Sequence, residues 1–134
     1  MSTYNQTLFK RSLSPALRTD GTASGVAVDR AANGGMQDAV VLVSTGTVTD
    51  GSHAVAIQDS ADGSTDWQAV AAAQLDGSTP TLVAANDDTV YEVGVRATRR
   101  YLRVVAVTTG ATTGGLFGAA ILLGRPRYAP VTRS

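Results

Sequence analysis

The chain has 134 residues, a formal net charge of zero and no cysteine. Its length suits one domain, and the lack of cysteine excludes a disulfide framework, a thiolate nucleophile and a thiolate metal site. No apolar run approaches the ~20 residues that span a bilayer, and the first residues lack the apolar segment of a signal peptide. We therefore expect no membrane partner and assembly in a reducing cytoplasm.

The N-terminal residues 1–19 show little strand or helix periodicity, and Pro15 disfavours a helix. We interpret this stretch as an extended arm that is ordered only where it lies on a neighbour. Its bases Lys10 and Arg11 are then candidate interface residues. The main domain is expected over 20–128, followed by an extended tail over 129–134.

Short Val- and Thr-rich runs separated by Gly, Asp and Ser clusters are typical of strands and turns. The strands are expected at 26–29, 38–45, 52–59, 67–70, 79–84, 90–95, 100–108 and 115–123. The spacing of the turns predicts an all-β fold, a single-domain antiparallel β-sandwich that is jelly-roll-like and has about eight strands.

The last two runs flank the Gly/Thr segment 110–115, which we predict to be the turn of a β-hairpin with a buried interior. We place this hairpin at the centre of the sandwich. The segment lacks the Lys-Ser/Thr pair of a phosphate-binding loop. Four candidate interface arginines lie near the base of the predicted hairpin: Arg99, Arg103, Arg125 and Arg127.

Charge is segregated along the chain. Residues 1–19 hold three bases and no acid, residues 20–92 hold all eleven acids and one base, and residues 93–134 hold seven arginines and no acid. Either the strands interleave and the charges mix, or acidic and basic faces dock against other molecules. Because the net charge is zero, we favour salt bridges with neighbouring subunits over direct nucleic-acid binding.

The segment DSADGSTDW (59–67) has the most distinctive local composition. Asp59, Asp62 and Asp66 are candidate calcium ligands, although their spacing does not match an EF-hand. The segment also resembles an Asp-box turn of some β-propellers, with Gly63 one position early. We favour a third interpretation, a self-bonded turn whose Trp67 fills the core. No other cofactor is expected.

His53 is the only histidine and therefore the sole candidate base for a Ser–His–Asp site. It lies on the apolar side of an alternating strand, and no GxSxG motif is present. We interpret it as a residue of the core edge or of an interface, and we do not expect an enzyme.

Four segments in series resemble a family of small structural proteins that decorate or cement the capsids of tailed bacteriophages. They are TDGTASGVAVD (19–29), VTDGSHAVAIQDSADGSTDWQAV (48–70), TVYEVGVRATRRYLRVVAVTTGATTGG (89–115) and AAILLGRPR (119–127). The resemblance implies a β-sandwich on the outer capsid surface, often a homotrimer, whose partner is the major capsid protein. It implies no catalytic residue.

Two other functions remain open on the sequence. Similar small β proteins occur in phage tails and at head–tail junctions, so a connector role is one alternative. A carbohydrate-binding module is the other, because Trp67 and the neighbouring aspartates could form a sugar platform.

Overall fold

A computed structural model describes residues 2–96 and 99–133. Helix α1 is Thr3–Gln6, and two short 3₁₀ helices are Ala72–Gln74 and Ala84–Asn86. The strands in these residues are β1 (Leu8–Arg18), β2 (Gly21–Ser24), β3 (Val28–Asp29), β4 (Met36–Val48), β5 (Ser52–Ser60), β6 (Gln68–Ala69), β7 (Leu75–Asp76), β8 (Thr81–Leu82), β9 (Val90–Val95), β10 (Tyr101–Thr109) and β11 (Gly115–Pro126).

The strands form two antiparallel sheets that pack face to face. Sheet A has the order β1-β11-β4-β9-β7. Sheet B has the order β2-β10-β5-β6, with β3 also paired to β10 and β8 to β5. The predicted all-β sandwich is confirmed.

The strand pairing follows a double Greek key. In sheet A, β1 pairs with β11 and β4 with β9, whereas in sheet B β2 and β3 pair with β10 and β5 pairs with β6 and β8. Working inward from both ends of the chain, successive antiparallel pairs thus alternate between the two sheets. This is the arrangement of a jelly roll, and it agrees with the jelly-roll-like expectation.

The core lies between the sheets and is built from alternate residues of each strand. In β4, Val41 and Val43 point inward, and in β11 Phe117 and Ile121 do so. The most deeply buried large apolar side chains are Val41, Val43, Leu82, Val93, Leu102, Val104, Phe117, Ile121 and Leu123, each at most 1% exposed. β-branched residues thus supply much of the packing, as the composition predicts.

The predicted N-terminal arm is wrong for residues 8–18, which form edge strand β1 of sheet A. This strand pairs with β11 from Leu8 opposite Leu123 to Arg18 opposite Gly115, and both Leu8 and Leu13 are buried in the core. Two irregularities in the register interrupt the alternation of β1. The period-two pattern that identifies a strand is therefore missing from the sequence.

The predicted hairpin at 100–123 is also wrong, because its two strands lie in different sheets. β10 is an interior strand of sheet B, and β11 is an interior strand of sheet A. The connection 110–114 crosses the sandwich, using positive φ at Gly110 and Gly114. A β carbon on Gly114 would lie 2.2 Å from the carbonyl oxygen of Arg18, so this crossing requires glycine.

A second crossing connects β4 with β5 through residues 49–51 and lies beside the first. The carboxylate of Asp50 joins the two, since its Oδ1 accepts N–H groups from Thr112, Thr113 and Gly114 at 3.1, 3.1 and 2.7 Å. These hydrogen bonds, led by that of Gly114, lower the pKa of Asp50. One end of the sandwich is therefore closed by a capped pair of connections.

Candidate interaction surfaces

The aspartate-rich turn after β5 is organised by Asp62. Its Oδ1 accepts the backbone N–H groups of Ser64 and Thr65, both at 2.9 Å, and its Oδ2 accepts the Thr65 hydroxyl at 2.7 Å. These bonds hold the pKa of the Asp62 carboxyl well below its usual range, with the backbone N–H of Thr65 as the largest cause. The turn therefore has the self-bonded form, and Asp62 is already saturated with donors from the chain.

Asp59 and Asp66, the other two calcium candidates, face the guanidinium of Arg99. Its Nε lies 3.0 Å from Asp59 Oδ1 and its Nη1 lies 3.0 Å from Asp66 Oδ2. The backbone N–H of Arg99 donates to Asp59 Oδ2 as well, at 3.0 Å. No group of three or more possible metal ligands occurs among the residues that the structure describes. Arg99 thus clamps both ends of the turn.

Trp67 does not fill the core. It is half-buried on the outer side of sheet B, and the guanidinium carbon of Arg103 lies 4.2 Å from the centre of its ring. Arg103 is fixed in turn by a 2.9 Å hydrogen bond from its Nε to Gln58 Oε1. This cation–π contact covers one face of the indole, which counts against a sugar platform.

His53 is fully buried at the end of the sandwich where Asp50 lies. Its Nε2 is 3.0 Å from the carbonyl oxygen of Asp50 and its Nδ1 is 2.7 Å from Thr108 Oγ1. Since a carbonyl can only accept, a neutral ring carries its proton on Nε2 and accepts the Thr108 hydroxyl at Nδ1. The ring also packs edge-on against Phe117, with centroids 5.2 Å apart. His53 is therefore a core residue with both nitrogens bonded.

Arginines of the C-terminal third pair with acids of the middle of the chain. The ion pairs are Arg96–Asp76, Arg99–Asp59, Arg99–Asp66, Arg100–Asp29 and Arg125–Asp38. The Arg100 fork lies 2.8 Å from both oxygens of Asp29 and lowers the pKa of that carboxyl. The segregation along the sequence is thus largely cancelled within the folded molecule.

The six predicted interface residues do not form one surface. Three of them, Arg99, Arg125 and Arg127, lie at the end of the sandwich opposite His53, near the start of β4 and β10. Arg103 lies on the outer side of sheet B beside Trp67. The remaining two, Lys10 and Arg11, lie on edge strand β1.

A depression of about 480 Å³ lies at this arginine-rich end, and we call it the basic depression. It is lined by Arg30, Ala31, Gly34, Gly35, Met36, Arg100, Arg127 and Tyr128. The Tyr128 side chain is 77% exposed. Arg127 is also exposed, and its side chain makes no hydrogen bond or ion pair with the part of the chain that the structure describes.

An apolar patch, which was not predicted from the sequence, covers much of the outer face of sheet A; the face also carries Arg11, Ser44 and Glu92. The side chains that form the patch are Phe9, Val40, Leu42, Val90, Leu116, Ala120 and Leu122. Phe9 is 62% exposed and Val90 56%. The available signal was the unbroken apolar runs 39–43 and 119–123, because an antiparallel strand with one wet face normally alternates.

The chain was compared with family models, curated proteins and solved structures, and none of them matches. No helix in residues 2–96 and 99–133 is long and apolar enough to cross a membrane. The fold and the surfaces define the class of the protein as a jelly-roll sandwich with a charged end and an apolar patch on one outer sheet face.

Proposed function

We propose that this protein is a structural component of a tailed-bacteriophage virion that binds the outer surface of the capsid. It stabilises the shell by bridging major capsid proteins. The series of motifs over 19–127 supports this function through its family resemblance. The jelly-roll topology is compatible with it, since viral capsid domains use this fold recurrently.

The observation that carries the proposal is the basic depression. Most arginines at this end are paired within the chain, but Arg127 is exposed beside the exposed ring of Tyr128. A guanidinium binds a carboxylate through two parallel hydrogen bonds, and it suits interfaces better than lysine does. The basic depression is therefore suited to an acidic group on a shell subunit.

The bridging role follows from the geometry of a shell that repeats the same site many times. A molecule seated on two or more subunits gains avidity without any single strong contact. Because it binds the assembled shell and not the separated subunits, it raises the stability of the shell by mass action.

The test is to add the purified protein to expanded capsids that lack it. We expect co-sedimentation with the capsids and a higher melting temperature of the shell. Arg127→Glu should weaken binding strongly, whereas the matched reversal Lys10→Glu, on β1 away from the basic depression, should not.

Failure to bind any capsid form would refute the proposed function. Binding that is indifferent to Arg127→Glu would remove the basic depression as the docking surface. Electron cryomicroscopy of the virion separates the alternative connector role by location, because a decoration protein covers the shell and a connector forms a ring at one vertex.

A further inference from the structure

The outer face of sheet A is built like an interface. The neighbours in register across β1, β11, β4 and β9 form two rows on this face. One row is Phe9, Leu122, Val40 and Gly94, and the other is Arg11, Ala120, Leu42 and Glu92. The outer face of a sandwich sheet is usually polar, so these rows indicate that another surface covers it.

We propose that a second copy of the chain covers this face in a two-fold symmetric dimer. The two-fold axis lies in the interface, parallel to the strands and between β11 and β4. This inference does not rest on the proposed function, because it uses only the register and the charges of sheet A.

The charges of the second row select the partner and its orientation. Arg11 lies at one end of the row and Glu92 at the other, with apolar Ala120 and Leu42 between them. Arg11 and Glu92 are both exposed. Arg11 bonds only to the hydroxyl of Ser14, at 3.0 Å, among the described residues. Each copy thus offers a cation on β1 and an anion on β9, whereas Asp76 on the adjoining edge strand β7 is already paired with Arg96.

A half-turn about an axis parallel to the strands lays β1 of one copy over β9 of the other. Arg11 of each copy then faces Glu92 of its partner, which gives two equivalent ion pairs, as an isologous interface requires. Sheets pack about 10 Å apart, a gap that extended Arg and Glu side chains bridge together. An in-plane axis perpendicular to the strands would instead place β1 over β1 and oppose like charges.

Side-chain size is complementary under the same operation. The half-turn places β4 of one copy over β11 of the other, so Leu42 faces the small side chain of Ala120. Large residues opposite small ones are what close packing between two layers needs. A depression of about 390 Å³ over β11, lined in part by Gly118 and Ala120, gives room for the partner's side chains.

The test is the oligomeric state of the purified protein, measured by sedimentation equilibrium over a range of concentrations. We expect a dimer. Arg11→Glu and Glu92→Arg should each raise the dissociation constant about tenfold or more. The double variant R11E/E92R should recover much of the affinity, because both pairs re-form with reversed charges.

A matched pair of substitutions tests the apolar contact. Leu116 on sheet A and Val107 on sheet B are each 42% exposed. Leu116→Asp should give monomers, while Val107→Asp should leave the dimer intact. Far-ultraviolet circular dichroism and thermal melting verify that each variant is folded.

Three results would overturn the proposal: a monomer at every concentration, an oligomer indifferent to Leu116→Asp, or no recovery in R11E/E92R. A dimer that fails to bind capsids would refute the proposed function and leave this interface standing, so the two failures are distinguishable.

Discussion

Asp50, Asp62 and His53 each bond to the chain that carries them, although their residue types suggest chemistry. The sequence predicts the Asp62 turn, because an aspartate followed by Gly and Ser readily accepts N–H groups two and three residues on. It does not predict the Arg99 clamp, because Arg99 is 40 residues from Asp59 and 33 from Asp66. Local side-chain chemistry is thus readable from the sequence, whereas long-range pairing is not.

The lowered pKa of Asp50 predicts how the stability of the folded protein changes in acid. Its pKa is lowered in the folded protein, so its contribution is complete above the ordinary value of 3.8 and is lost as the pH falls through the lower folded value. Asp50→Asn removes the charge and should lower the free energy of unfolding at pH 7. The difference from the unmodified chain should narrow as the pH falls below 3.8.

Urea unfolding at a series of pH values from neutral to acidic measures this difference. If the two proteins lose stability in parallel over the whole range, the Asp50 carboxylate does not stabilise the paired connections through its charge.

At the scale of elements, strands that alternate regularly were predicted closely and irregular ones were not. Strand β9 has the bounds predicted for it, Val90–Val95, and β5 differs from its prediction by one residue. Strand β1 was not predicted, because irregularities in its register break the alternation of buried and exposed residues. The pairing of β10 and β11 was misassigned because periodicity reports which face of a strand is buried, not which strand lies beside it.

Because residues 8–18 form a strand of sheet A, a deletion that removes them should destabilise the fold. Deletion of residues 1–15 removes most of β1, including the buried Leu8 and Leu13, so it should abolish cooperative unfolding or lower the melting temperature sharply. Deletion of residues 1–7 removes helix α1, which buries no residue. It should leave a folded sandwich.

Differential scanning calorimetry of both truncations measures the contrast. A cooperative transition near that of the full chain after deletion of residues 1–15 would show that β1 is dispensable and behaves as an arm.

At the scale of the whole molecule, the two ends of the chain meet. The backbone N–H of Val131 donates to the carbonyl of Asn5 at 2.9 Å, and Arg133 donates to the carbonyls of Tyr4 and Thr7, both at 2.7 Å. Val131 is itself 7% exposed and belongs to the core, although it lies in the predicted tail. The sandwich therefore fixes both ends on one side, which its composition alone could not indicate.

This proximity predicts that the chain tolerates circular permutation. A short Gly/Ser linker between the ends, with new termini at the exposed Gly77–Ser78, should give a folded protein with a melting temperature close to the original. Opening the chain between Thr112 and Thr113 instead disrupts the segment that Asp50 caps, so this permutant should be much less stable. Equal melting temperatures for the two permutants would contradict the structural role of that segment.

The position of β11 determines when the protein can fold. It is the last of the described strands in chain order, yet it lies between β1 and β4 and pairs Leu123 with Leu8. Sheet A therefore cannot close before residues 115–126 are available. Until then β1 has no partner strand, and β4 lacks its partner on this side. Because such distant pairings carry a large loop-closure cost, we expect folding on a scale of milliseconds to seconds. A chain in which β11 has not yet paired is therefore the form whose apolar strands are most exposed to aggregation.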